Sequence, residues 1–222
     1  MDVIHEPIKK IFTNIINNQR CEVEKWFCCG RTSLLEKPGE WVFNNTRPIT
    51  CTNNMYKWFT SLLLIFYNRH RETFSIMQMD QRGAKDKCSG TIDNLLIDNM
   101  VLLDAHDHKR NLTCSWIDIT KAYDSLSHSW IKKMLSVHRF PIKLQSIIAK
   151  LIDAWNITLV IPMKEEEIVS EPIIVTNGVL QGDVISPNLY TLSVNPFSWE
   201  LRRYEVILCR NHYHRRLLIW MT

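Results

Sequence analysis

Residues 178–190 read Gly178-Val179-Leu180-Gln181-Gly182-Asp183-Val184-Ile185-Ser186-Pro187-Asn188-Leu189-Tyr190. Two glycines permit close approach of the backbone to a neighbour or a ligand. Gln181, between them, carries an amide that both donates and accepts. Ser186-Pro187 is a helix start: serine caps, and proline suits the first turn. A glycine-rich hairpin exit plus an N-cap accounts for the glycines, but not for the full Gly-x-x-Gln-Gly-x-x-x-Ser-Pro-x-Leu spacing. Upstream stands Asp118-Ile119-Thr120-Lys121-Ala122-Tyr123-Asp124, closing an apolar, alternating run over 112–119 that is expected to be a strand. A carboxylate at a strand end is held on rigid backbone while facing a cleft, the placement a Mg2+ ligand needs. Strand-end aspartates also serve as plain turn caps, so the heptapeptide by itself leaves both readings open.

Around these stretches the patterning is mixed. Ile8, Ile11, Phe12, Ile15 and Ile16 form one apolar stripe of an amphipathic helix over 5–18. Gly30–Lys37 and Arg47–Cys51 read as strands, the first stopped by Pro38-Gly39. Helices are expected from Asn53, as N-cap, to about Tyr67, and from Ser89 to about Asp104 with Ile92, Leu95, Leu96, Asn99 and Met100 on one side. Two more follow, over 129–138 and, with Pro141 at its first turn, over 141–154. Ile157–Pro162 and Pro172–Thr176 flank the charged stretch 164–167 as an antiparallel hairpin, and 186–203 is the last helix. The fold class is α+β.

The chain has 222 residues, 45% of them hydrophobic and 23% charged, which is globular composition. No apolar run is long enough for a membrane span, and the opening residues carry no leader-like apolar stretch. The expectation is no membrane partner and an intracellular location, cytoplasm or nucleus. The net charge of +4 comes entirely from residues 201–222, where Arg202, Arg203, Arg210, Arg215 and Arg216 face Glu205 alone. It therefore says nothing about nucleic-acid binding by the rest of the fold. Seven cysteines without a leader read as free thiols with no disulfide-linked partner, and the Cys21, Cys28, Cys29 spacing does not suit zinc. Bland readings fit His106 and His108 (solvent-facing), Trp116 and Trp130 (core packing) and Glu165–Glu167 (hairpin tip). Tyr56-Lys57 has reach toward a template backbone, although a lysine on an exposed helix face is the commoner case.

Taken together the two motifs resemble the palm of a reverse transcriptase, closest to the non-LTR retrotransposon branch. The resemblance spans roughly 26–200 in consistent order: Gly30-Arg31-Thr32 with Lys37-Pro38-Gly39, Arg47-Pro48-Ile49-Thr50 with Met55-Tyr56-Lys57, Gln81-Arg82-Gly83 through Gly90-Thr91-Ile92-Asp93, then 118–124 and 178–189. It implies the reverse-transcriptase fold, a right hand with fingers and a partial palm whose sheet is incomplete: a helical extension over 1–25, fingers over 26–110 and partial palm over 111–205. For the intact family it implies RNA-directed DNA synthesis with two Mg2+ ions, whose binding is expected to be weak or absent in this chain, and as partners a template RNA, a primer DNA and deoxynucleoside triphosphates. Asp118 would hold both ions, with the Ile119 carbonyl helping one. Tyr123 would lie under the sugar and exclude a ribose 2′-hydroxyl by bulk. Gln181 and Gly182 would line the nucleotide and template site, and Lys37 and Arg47 would grip the triphosphate. On this reading Asp118 faces the Gly178–Gly182 loop, and Lys37 and Arg47 stand on adjacent antiparallel strands.

One family motif is missing: these residues contain no Asp-Asp pair. The codons of Trp220 and Met221 are unique, TGG and ATG, and that of Thr222 begins AC. Read two bases later, TGG-ATG-AC becomes GAT-GAC, Asp-Asp, and Leu218 and Ile219 permit Tyr-Met before it. Residues 206–222 are thus expected to be an out-of-frame tail, and the chain an inactive fragment truncated before the Asp-Asp motif. The alternatives are a non-catalytic nucleic-acid-binding module that keeps the fingers and palm surfaces, and an unrelated α+β domain with coincidental motifs.

Overall fold

The computed structural model describes residues 2–17, 23–39, 45–78, 81–84, 88–112, 117–162 and 167–202. In chain order they form α1 (Asp2–Asn17), β1 (Cys29–Glu36), β2 (Thr46–Thr52), α2 (Asn54–Thr73), α3 (Thr91–Asp107), α4 (His128–Val137), α5 (Ile142–Ala154), β3 (Asn156–Pro162), β4 (Glu167–Val169), β5 (Ile173–Ile174) and α6 (Ser186–Arg202). The architecture is mixed α and β with a partial sheet.

Among the described residues the strands make one sheet in the order β2-β1-β3-β4, with β5 also on β3. β1 and β2 are antiparallel, Thr32 opposite Thr50 and Leu35 opposite Arg47. β1 then pairs parallel with β3, from Cys29 on Asn156 to Ser33 on Val160. A parallel pair needs a long crossover, and α2 to α5 lie between the two strands in the chain. The alternation of β1 and β2 buries Thr32, Thr50 and Thr52 on one face. The Thr32 and Thr50 hydroxyls bond each other at 2.8 Å, so the burial leaves no lost hydrogen bond at that pair. Lys37 continues the hairpin, its amide donating to the Asn45 carbonyl at 3.2 Å.

The helices pack through the stripes that their periodicity marks. α2 buries Tyr56, Phe59, Leu63 and Tyr67, and α5 buries Leu144, Ile147, Ile148, Leu151 and Ile152. Both meet Phe27 and Trp155 in a single core. Asn53 caps α2, its Oδ1 accepting the Tyr56 amide at 2.8 Å, while its Nδ2 donates to the Phe27 carbonyl at 2.8 Å. Such a cap contributes ~1 kcal/mol. α1 keeps the predicted stripe half-buried, with Phe12 5.0 Å from Phe59.

The structure departs from or sharpens several expectations. Ile117–Ile119 are not in a strand and 120–125 are turn; 113–116 lie outside the described residues. The hairpin's second arm is split into β4 and β5: Pro172 cannot donate to the ladder, and Ser170 bridges the gap, its Oγ accepting the Leu159 amide at 3.0 Å. Tyr56 is fully buried, its hydroxyl accepting from Trp155 Nε1 at 2.7 Å, so it does not reach a template. On α3 the apolar side faces out: Ile92, Leu95, Leu96 and Met100 are exposed, and Asp98, Val101 and Ala105 are buried. His106 and His108 are exposed as expected, while Trp130 is half-exposed and donates to the Ser193 carbonyl at 2.9 Å.

Candidate functional site

The segment 120–128 and the loop at 177–183 are far apart in sequence and are stitched together by four hydrogen bonds. The Gly178 amide donates to the Leu126 carbonyl at 2.7 Å, and the Val179 amide to the Tyr123 carbonyl at 3.0 Å. Asn177 Nδ2 donates to the Asp124 carbonyl at 2.8 Å. His128 Nε2 donates to the Gly178 carbonyl at 2.9 Å. Gly178 has φ +84, and a Cβ there would lie 2.9 Å from the Tyr123 carbonyl oxygen and 3.0 Å from Asp124 Cα. Only glycine fits this contact without strain.

The same loop reaches β2 on its other side. β2 is an edge strand, and its Thr50 amide donates to the Gln181 carbonyl at 2.6 Å. Gly182, at φ +109, lies so close that a Cβ would stand 2.6 Å from the Thr50 carbonyl oxygen and 3.7 Å from Ile49 Cγ2. Strand alternation puts Ile49 on the same face as Arg47, opposite Thr50. Arg47 is exposed on that face; Lys37, expected on the partner strand, is exposed but lies one residue past the end of β1. Arg47 stands about 10 Å along β2 from Thr50, at about 3.3 Å per residue.

Asp183 anchors the loop's exit. Its side chain is 4% exposed, with Oδ1 accepting the Val184 amide at 2.7 Å and Oδ2 accepting the Ser186 hydroxyl at 3.1 Å. It thus occupies the N-terminus of α6. Burial pushes its carboxyl up to about 6, against the pull of the Ser186 hydroxyl and three backbone amides. Burial also pushes the nearby Cys28 thiol up to about 12, helped by the Asp183 charge.

Asp118 is exposed and Ile119 half-buried. Tyr123 is half-buried, its ring centroid 5.1 Å from that of Tyr190 on α6. Burial raises both phenols, and Tyr190 is raised further by Tyr123 and by the Asp118 charge. The chain so brings Tyr123, Gln181 and Gly182 onto connected backbone, with Asp118 preceding the Tyr123 turn in sequence and Arg47 on the adjoining strand. For Mg2+, Asp118 offers a hard, accessible carboxylate. Among the described residues, however, no three His, Cys, Asp or Glu side chains group to hold an ion, so these residues alone do not make a two-ion cage.

The family model described as "Reverse transcriptase (RNA-dependent DNA polymerase)" matches residues 35–214. The chain belongs to the reverse transcriptase family. The match includes residues 206–214 of the expected out-of-frame tail; 206–222 lie outside the described residues. The reverse transcriptase chain is 31% identical over 103 residues to the retrovirus-related Pol polyprotein from the type-2 retrotransposable element R2DM of Drosophila melanogaster, a non-LTR element. That alignment covers 46% of this chain and 9% of the polyprotein. Among solved structures, apo telomerase from Candida tropicalis, truncated from its C-terminal domain, aligns with TM-score 0.47 and 14% identity, over 93% of this chain and 47% of that one. No helix of the described residues is long and apolar enough to cross a membrane.

Sequence reasoning did not single out four side chains that build this site: His128, Asn177, Asp183 and Tyr190. Asp183 and Tyr190 fall inside the quoted motif, so their spacing was a usable signal. Asn177 precedes a turn glycine, a common position for it. His128 has no signal of its own, because its value depends on which carbonyl the fold brings to it.

Proposed function

We propose that the chain is the fingers (26–110) and partial palm (111–205) of an RNA-directed DNA polymerase of the non-LTR type, with 1–25 as a helical extension. The observation that carries this reading is the meeting of three separate stretches: the 118–124 turn, the 177–183 loop and β2. Lys37 and Arg47 take the triphosphate, Arg47 through two-pronged contacts to phosphate oxygens. Tyr123 lies under the incoming sugar, where its bulk selects against the 2′-hydroxyl. Gln181 and Gly182 line the nucleotide and the template base. Asp118 and the Ile119 carbonyl are the place for Mg2+, which when bound supplies charge stabilisation at the phosphoryl oxygens. The partners are template RNA, primer DNA and deoxynucleoside triphosphates, in the cytoplasm or nucleus.

The 222 residues carry no adjacent aspartate pair, so by themselves they lack the carboxylates that would join Asp118. On this reading residues 206–222 are shifted in frame and the chain as written does not synthesise DNA. The test is primer extension on an RNA template with Mg2+. The 222-residue chain is expected to give none. A version with the frame restored upstream of Trp220, and continued beyond it, is expected to extend the primer, and Asp118→Ala in that version to abolish extension. Extension by the 222-residue chain itself would refute its inactivity. Tight binding of primed duplex without extension, even after restoration, would assign the chain to non-catalytic nucleic-acid binding.

A further inference from the structure

We propose that His128 is a positioning residue: its Nε2–H bond to the Gly178 carbonyl latches the Tyr123 turn to the Gln181–Gly182 loop and so sets the spacing of the nucleotide site. The nucleotide part rests on the polymerase reading above; the latch itself does not.

Gly178 meets one short segment in three ways. Its amide bonds Leu126, a Cβ on it would press on Tyr123 and Asp124, and its carbonyl takes the His128 ring. The first two are backbone contacts that any sequence able to fold this way would make. The third depends on one side chain. A carbonyl oxygen only accepts, so the geometry requires the proton on Nε2.

His128 is well placed to be rigid. It is the first residue of α4, whose Ile131, Met134 and Leu135 are buried in the core. Its ring meets Trp155 edge-on at 5.8 Å and 77°. Trp155 is itself fixed, 1% exposed and donating to Tyr56. The latch therefore ties the loop to the core through a ring held on a second side. From Gly178 the connection continues through Leu180, whose carbonyl accepts the Asp183 amide at 3.3 Å, to Gln181 and Gly182, which lie against Thr50 of β2. Loosening the Gly178 end frees the loop to shift relative to Tyr123, and misplacement of a binding group by a fraction of an ångström already costs affinity.

The experiment compares wild type, His128→Phe and His128→Gln in the 222-residue chain. Phenylalanine keeps a planar ring and removes the donor; the glutamine amide can reach the same carbonyl. Two quantities are read: hydrogen exchange of the Gly178 and Val179 amides, against core amides of α5, and affinity for a fluorescent deoxynucleoside triphosphate with Mg2+. His128→Phe is expected to speed exchange at the two amides and weaken the nucleotide by about fivefold each, the order of one neutral hydrogen bond. His128→Gln is expected to restore both, with α5 amides unchanged throughout. Equal behaviour of Phe and Gln, or a loss spread evenly over α5, would overturn the proposal, since either outcome describes mere packing. If His128→Phe does not fold, the ring nitrogen shifts of wild-type His128 decide: the Nε2–H tautomer is expected, and the Nδ1–H tautomer sinks the latch. Absence of nucleotide binding by wild type removes the nucleotide reading, while the amide exchange still decides the latch.

Discussion

A methyl group at position 178 has no room. It would sit 2.9 Å from the Tyr123 carbonyl oxygen, backbone that cannot swing away, and at φ +84. Gly182 meets the same obstacle, 2.6 Å from the Thr50 carbonyl at φ +109. Gly178→Ala and Gly182→Ala are each expected to destabilise the chain by ~1–3 kcal/mol, read from urea denaturation. Gly83→Ala is the control, because its φ is not left-handed and its nearest neighbour, at 3.1 Å, is the side-chain atom Gln81 Oε1 rather than backbone. It should cost less than either. A cost at Gly178 no larger than at Gly83 would show that the turn and loop are not in contact. The two glycines were legible in sequence because their spacing around Gln181 is unusual. Arg47 was legible as a strand residue, whereas Lys37 lies just past the end of β1, because Pro38-Gly39 stops the strand a residue earlier than its pattern suggests. His128 and Asn177 were not, since a donor acquires meaning only when an acceptor from a distant segment arrives.

Among the elements, α6 has the most revealing start. Its N-terminus is filled by a buried carboxyl whose folded value, about 6, stands above its ordinary value of 3.8. The folded state therefore holds that proton more readily than the unfolded chain. The group's contribution to stability is fully present below about 3.8 and is lost as pH rises through about 6. Burial lowers His128 and His138, and their contributions run the other way, falling as pH drops below the ordinary imidazole range. Asp183→Asn separates the two. Relative to that variant, wild type should gain on the order of 2 kcal/mol on going from pH 8 to pH 4.5, measured as paired denaturation midpoints. A constant difference across that range would mean that Asp183 is not buried as described. Elements with strong apolar periodicity were readable to within a few residues, as in α1, α4 and α5. The exceptions have physical causes. Ile117–Ile119 close an alternating run, yet the alternation does not say where a strand gives way to a turn. α3 carries a clear apolar side, yet periodicity gives the side and not its direction, and here it faces outward.

At the scale of the whole molecule, the parallel β1–β3 ladder joins the segments on either side of residue 110. No local signal announces that pairing, because each strand is also compatible with its own hairpin. It makes a thermodynamic expectation: unfolding followed by Trp fluorescence and by far-ultraviolet circular dichroism should coincide in one transition. Two separated transitions would mean that residues 26–110 and 111–205 are independent units. The same ladder also sets an order in time. β1 leaves the ribosome early, with β2 as its first partner, but its other edge has to wait until Asn156–Pro162 are made. At about 5–20 residues per second that delay is roughly 6–25 s. Throughout it, the nascent chain carries an open strand edge at which another polypeptide could dock, so slow translation between β2 and β3 is a hazard peculiar to this topology.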